Sequence, residues 1–301
     1  MKYENELVLK IAWYYYIEGM TQQAISDKLG LSRMKVIRIL DTAKETGVIQ
    51  FRISTGKGMD ISLEEKIGEK WGLKKVLVIP TPSDPSTLNE LLALASANYI
   101  EDIIGENAFI NMGYGDTPSR VLNHLAAMTD VPISVVSLTG GVNYYLPNAV
   151  SSIFNARLHL FPTPLVISSE EACKAILQEP SVQEIRRMIQ LSSLSIVGLG
   201  GMNPDATIIT NGIMNKNDFT YLQMQNAVGD ILTHFIDENG ESVKTDLDNR
   251  LVSTSLETLK TLKNVIGIAG GPNKINIIRA ALRGGYLDAL ITDEETAKQI
   301  L

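Results

Sequence analysis

The sequence predicts an α/β protein in two parts: a small helical module at the front and a larger domain built on a mostly parallel, Rossmann-like sheet. Three observations predict it. Residues 1–55 carry apolar residues at helical spacing in short segments joined through glycines. From Lys75 onward, short apolar runs alternate with amphipathic stretches. The charge also changes sign between the parts. Residues 1–55 hold eight Lys/Arg against six Asp/Glu, a balance of +2, and the remainder balances at −9, for −7 over 301 residues. An acidic body with a mildly basic head suits a protein that meets a polyanion with one small part.

In the front module, Leu7, Ile11, Tyr14 and Tyr15 recur at helical spacing, which predicts a helix over residues 6–17 that Gly19 ends. Thr21 caps a second helix, Gln22 to Leu29, whose Ala24, Ile25 and Leu29 face inward. Gly30-Leu31 makes a tight turn, and Ser32 caps a third helix running to about Thr46. Val36, Ile39, Leu40 and Ala43 form its buried stripe, and Gly47 stands where a C-terminal cap belongs. Val48 to Ile53 alternates as a strand. Two short helices around a glycine turn, followed by a strand, form the winged helix-turn-helix plan. A small residue at Ala24 lets the two helices cross closely. Arg33, Lys35 and Arg38, with Met34 and Ile37, are left facing outward, where Arg and Lys reach phosphates and guanine edges. Thr21, Gln22, Ser32, Arg33, Met34, Lys35 and Arg38 are therefore the candidate DNA contacts.

In the second part the predicted strands are Lys75–Ile79, Ala108–Met112, Ser134–Leu138, Ser193–Leu199, Val265–Ala269 and Leu287–Ile291, with a helix over 87–104. Glycines follow strand after strand: Gly113 and Gly115, Gly140 and Gly141, Gly200 and Gly201, Gly270 and Gly271. Ligands of open α/β sheets bind outside the carboxyl ends of strands. Glycine lets backbone amides approach an anion there, and the next helix N-terminus favours it. Gly113-Tyr114-Gly115-Asp116-Thr117 is the best phosphate cradle, with the Thr117 hydroxyl as a donor. Lys274 supplies a cation and Asp230 accepts from hydroxyls. Each feature also has a plainer reading: a simple turn, a solvated lysine, a helix cap. Their coincidence carries the argument.

Composition excludes other classes. Hydrophobic residues make up 45% and no apolar run reaches the ~18 residues of a membrane helix. The acidic N-terminus is not a signal peptide. A single cysteine, Cys173, fits a reducing cytoplasm, and three scattered histidines make no zinc site. No Walker pattern and no complete Gly-x-Gly-x-x-Gly opens a helix, so no nucleotide cofactor is expected.

The chain resembles the SorC/DeoR-type family of sugar-binding transcriptional regulators. At the front the resemblance rests on Ile11-Ala12-Trp13-Tyr14-Tyr15-Tyr16, Met20-Thr21-Gln22, Ile25-Ser26-Asp27-Lys28-Leu29-Gly30-Leu31 and Arg33-Met34-Lys35-Val36. At the back it rests on Leu138-Thr139-Gly140-Gly141-Val142, Pro162-Thr163-Pro164-Leu165, Asp205-Ala206-Thr207-Ile208-Ile209, Val228-Gly229-Asp230-Ile231 and Ala269-Gly270-Gly271-Pro272-Asn273-Lys274. The resemblance implies a body folded like sugar-phosphate isomerases that senses a ligand and does not turn it over. It implies operator DNA as a partner, a homo-oligomer (dimer or tetramer), and a phosphorylated small-molecule effector such as a sugar phosphate, a polyol phosphate or phosphorylated autoinducer-2. By motif, Gly113, Gly115, Asp116, Thr117, Thr139, Gly140 and Gly141 would line the effector pocket, with Asp230, Gly270, Gly271 and Lys274 around its polar body. One departure stands out: the family often has Ser before the recognition-helix arginine, where Ile37 precedes Arg38 here. The expected division is residues 1–55 for DNA and 56–301 for effector and assembly. The competing expectation is a sugar-phosphate isomerase-like enzyme. Isomerisation needs a positioned base, and His159 and His234 lack an acidic partner nearby in sequence.

Overall fold

The computed structural model describes residues 2–45, 48–49, 61–105, 108–129, 132–142 and 155–301. Gly47 and most of the strand expected over 48–53 lie outside the described residues, as does the boundary at 55/56; Val48 and Ile49 form a bend.

The head contains α1 (Lys2–Ala12), a π-turn (Trp13–Ile17), α2 (Gln22–Leu29) and α3 (Arg33–Glu45). The expected single helix over 6–17 is thus an α-helix that widens in its last turn, closed by the Glu18 N–H to the Trp13 carbonyl at 3.1 Å. Tyr14, Tyr15 and Tyr16 pack against a core of Ile11, Ile25, Val36 and Leu40. The Thr21 side chain accepts from the Ala24 amide and caps α2; Gly30 ends it with a left-handed φ of +63°. The Ser32 hydroxyl accepts from the Lys35 amide at 3.2 Å and caps α3. The buried Ser26 hydroxyl donates to the Leu31 carbonyl at 2.6 Å across the turn, fixing the angle between α2 and α3.

The body runs α4 (Ile61–Trp71), β1 (Lys75–Ile79), α5 (Leu88–Ile103), β2 (Phe109–Met112), α6 (Asp116–Met128), β3 (Ile133–Ser137), β4 (Ala156–His159), α7 (Glu170–Leu177), α8 (Pro180–Leu191), β5 (Leu194–Gly198), β6 (Gly200–Gly201), α9 (Thr207–Thr210), α10 (Lys216–Met224), β7 (Gly229–Ile231), β8 (His234–Ile236), α11 (Leu256–Leu259), β9 (Val265–Ile268), α12 (Ile275–Arg283), β10 (Ala289–Asp293) and α13 (Glu294–Ile300). Among the described residues, seven strands form one parallel sheet in the order β1-β10-β9-β5-β2-β3-β4. Side chains alternate between its faces. Val76, Val78, Val136, Val197 and Leu290 enter one apolar layer with α4, α8 and α12. Leu77, Ile79, Ile110, Met112, Val135 and Ile196 enter the other, under α5 and α6.

The strand order reverses between β2 and β5. From β2 the chain builds outward through β3 and β4; from β5 it builds the other way through β9 and β10. That is a topological switch point, where loops after adjacent strands part and leave a crevice. The strands expected in the body are all present, shifted by at most two residues. Strand β4 and the small antiparallel sheet β6-β7-β8 were not expected, because strands of two to four residues give no periodic signal.

Candidate functional site

On the head, Arg33, Met34, Lys35 and Arg38 are exposed along α3 and Ile37 is half-buried. Among the described residues, none of the three cations is in an ion pair, so their charge is available to an outside anion. A groove of about 820 Å³ runs beside Arg33, lined by Tyr15, Gly19, Met20, Thr21, Gln22, Gln23 and Arg33 itself. Thr21 and Ser32 spend their side chains on capping, so they order the helix starts that face this groove. Lys28 instead lies 4.1 Å from the Tyr14 ring centroid, a cation–π contact within the head.

In the body, the loops at the switch point converge with segments far away in sequence. Gly113-Tyr114-Gly115 leaves β2 and opens α6; Leu199-Gly200 leaves β5; Lys274 follows β9; Asp230 lies on β7. The Lys274 ammonium donates to the Leu199 carbonyl at 2.6 Å. Burial pushes its pKa down, against the pull of Asp230 and Asp116. Burial pushes the Asp230 carboxyl up, against a bond from the Thr233 amide (3.1 Å) and the charges of Lys274 and His234. Burial raises Tyr114 further, with the Asp230 charge adding to it; the Thr233 hydroxyl donates to its oxygen at 3.0 Å. Gly200 is glycine for a reason: a Cβ there would overlap the Asp230 carboxylate.

The β7–β8 hairpin closes over this cluster. Its two turn residues, Leu232 and Thr233, have φ of +54° and +73°. Left-handed geometry at a β-branched threonine is strained. Tertiary contacts hold it: Leu232 Cδ2 would lie 2.7 Å from a Cβ at Gly113, and the Leu232 carbonyl accepts from Ser253 Oγ at 2.8 Å.

The candidate residues divide by what their backbone does. The Gly113 amide donates to the Ile196 carbonyl (2.8 Å), and the Gly271 amide to Asp293 Oδ1 (3.1 Å) and Thr296 Oγ1 (2.7 Å). Thr139, Gly140 and Gly141 donate to Ser137 Oγ, the Val252 carbonyl and the Thr163 carbonyl. Gly140 is wedged against Pro164, and a Cβ on Gly270 would meet Asp293. In this conformation those amides are paired within the protein, Gly113 of the expected cradle included, so the expectation that Gly113 or Thr139–Gly141 donate to a phosphate is not met here, and Gly140 and Gly270 serve close packing. The amides of Asp116 and Thr117 differ. They open α6, take no side-chain cap, and lie in its first turn, where no intrahelical acceptor exists. The Asp116 carboxylate beside them is held by Asn89 Nδ2 and Arg120 Nε, both at 2.9 Å. Asn89, Arg120, Tyr114, Leu199 and Thr233 were not singled out in the sequence. A conformation such as Leu232-Thr233 leaves no sequence signal, because neither residue prefers it.

His234 does have an acid: its Nδ1 lies 3.1 Å from Asp248 Oδ1, fourteen residues on. The expectation is only that no acid lies near His234 in sequence; the fold brings this one in from a distance. The register pairs His234 with Ile231 and Asp230 with Phe235, so His234 and Asp230 take opposite faces of the hairpin.

An exposed recognition helix on one module and a buried polar cluster at the switch point of the other define the class: a helix-turn-helix protein with an α/β ligand domain. Residues 58–301 match the "Putative sugar-binding domain" family, Sugar-bind, and the chain belongs to it, as a transcriptional regulator. It is similar to "Transcriptional regulator LsrR" of Enterobacter sp. (strain 638), 31% identical over 302 residues that cover 99% of this chain and 93% of that one. The LsrR regulator of Escherichia coli (strain K12) is 33% identical over 302 residues, 99% of this chain and 95% of that one. The full-length sorbitol operon regulator SorC from Klebsiella pneumoniae shares the fold at TM-score 0.72 and 24% identity, over 98% of both chains. Among the described residues, no helix is long and apolar enough to cross a membrane.

Proposed function

We propose that this regulator binds operator DNA through residues 1–55 and that a small phosphorylated sugar-like effector, bound by residues 56–301, controls that binding. The carrying observation is the convergence at the β2/β5 switch point of Lys274, Asp230 and the open first turn of α6 from three separated stretches of chain. The Asp116 and Thr117 amides and the Thr117 hydroxyl would take the phosphate, aided by the helix dipole. Arg120 and Asn89 engage the Asp116 carboxylate, which lowers its repulsion of that phosphate. Lys274 and Asp230 would meet hydroxyl or carbonyl groups of the ligand. Leu232 and Thr233, held at positive φ beside Gly113, would be the element that binding displaces.

The DNA contacts proposed are Gln22, Arg33, Met34, Lys35 and Arg38, with Thr21 and Ser32 as caps. A single helix-turn-helix touches few bases, so the operator form would be a homo-oligomer, dimer or tetramer, working in the cytoplasm. We read the site as one that binds its ligand without turning it over; His234, though paired with Asp248, does not share a hairpin face with Asp230.

A thermal-shift screen tests this reading. Matched pairs of sugars and polyols, with and without phosphate, should separate, with stabilisation by phosphorylated members alone, since specific binding stabilises the folded state by mass action. Lys274→Ala should remove the shift. Equal shifts from the unphosphorylated partners would refute the phosphate reading.

A further inference from the structure

Large apolar residues scattered singly on a surface are ordinary; a contiguous set is not. Leu9, Trp13 and Ile17 are 56%, 58% and 65% exposed, four residues apart along one helix. The π-turn explains how they stay on one face. In an α-helix four residues overshoot a full turn, so three such residues drift round the axis. A π-turn closes its bonds to i+5, so four residues fall short of a turn and the drift is undone. The same widening turns Tyr14, Tyr15 and Tyr16 inward against the core of the head. None of the three stripe residues lines the groove beside Thr21 and Arg33, so DNA does not claim this face.

We infer that this stripe pairs the heads of two copies of the chain, helix against antiparallel helix about a two-fold axis at Trp13. In that register Leu9 of one copy meets Ile17 of the other, and Trp13 meets itself. Charge selects the direction. Lys10 and Glu18 are both exposed at the rim, and neither is in an ion pair among the described residues. Antiparallel pairing brings Lys10 of each copy within a turn of Glu18 of the other, twice by symmetry. Parallel pairing about a two-fold along the helices would put Lys10 and Glu18 of the two copies on opposite sides of the interface and leave both without a partner. Three side chains fall well short of the ~800 Å² per partner that a stable interface buries. The heads therefore pair because the bodies hold them at high effective concentration. The inference rests on the homo-oligomer proposed above, and it places the two recognition helices at a fixed separation.

The test uses the full chain, in which the one native cysteine, Cys173, is buried. Trp13→Cys should be linked to itself by a short bifunctional maleimide into a dimer on a denaturing gel. Leu9→Cys and Ile17→Cys should each link poorly alone and well when the two are co-expressed. Adding Lys10→Glu to Trp13→Cys should lower the linked fraction by about fivefold, the scale of the two rim pairs lost, and adding Glu18→Lys as well should restore it. Light scattering on the same samples separates the two readings. A monomeric mass overturns the oligomer and the pairing together. An oligomeric mass with no Trp13→Cys link, or with Leu9→Cys linking to itself as well as Trp13→Cys, overturns the pairing alone.

Discussion

Asp230 is a carboxylate that the fold keeps against its own solvation. Burial raises its pKa more than the Thr233 amide, Lys274 and His234 together lower it. A carboxyl whose folded pKa lies above its unfolded value binds its proton more tightly when folded. Its ionisation therefore removes stability as pH rises through the unfolded value and on through the folded one. Asp230→Asn, which keeps an oxygen for the Thr233 amide, should melt higher than the wild type at neutral pH. That gain should shrink as pH falls below the carboxylate range, in melts recorded from pH 3 to 7. The same variant should lose effector response, the trade expected where a site keeps a costly group for function. A charged hydrogen bond is worth roughly 1.5–3 kcal/mol. Lys274→Ala should thus weaken effector binding by about one to two decades and leave effector-free operator binding near wild type. On the head, Arg33→Ala should cost about 1–3 kcal/mol of operator affinity if its fork reads a base, and less if it meets only phosphate. Titration of the operator with each variant distinguishes these outcomes.

Between elements, the pair α5–α6 deserves a measurement because a polar chain joins it to the proposed phosphate site. Glu90 on α5 accepts from Arg120 (2.6 Å) and meets His124 (2.8 Å), both on α6; Arg120 also donates to Asp116, which accepts from Asn89 as well. The His124 hydrogen bond, opposed by burial and reinforced by Arg120, holds Glu90 down at about 2. Its contribution to stability is present above the ordinary value of 4.5 and is lost as pH falls from there through about 2. Glu90→Gln should lower the melting temperature at pH 6 and flatten the acid limb of the stability curve. The Glu90 side chain is 46% exposed, so the effect should stay within about 1 kcal/mol. An unchanged acid limb would show that the chain of contacts adds nothing to the packing of α5 on α6.

At the scale of the whole molecule, the charge is divided: +2 on residues 1–55 and −9 on the rest. An acidic body repels DNA, so attraction is confined to the head. Operator affinity should fall steeply with salt, with a log–log slope set by the phosphates the head neutralises. Lys35→Ala should reduce that slope by about one if Lys35 meets a phosphate. A slope unchanged in this variant would remove Lys35 from the contact set.

The sequence by itself determined the local terms. Gly30 and the caps at Thr21 and Ser32 mark the helix-turn-helix, because turn and cap chemistry acts over three or four residues. Lys75 to Ile79 and Val265 to Ala269 read as strands, because apolar runs between helices suit a parallel sheet. The tertiary structure decided what the sequence left open. It chose which glycine loops are open and which are wedged against Pro164 or Asp293, since a free amide depends on what packs opposite it. It brought Asp230, Lys274 and α6 together, gave His234 an acid on a remote loop, and held Leu232 and Thr233 in a conformation that neither residue favours. Those outcomes depend on contacts between segments fourteen or more residues apart, and no local pattern in the chain encodes them.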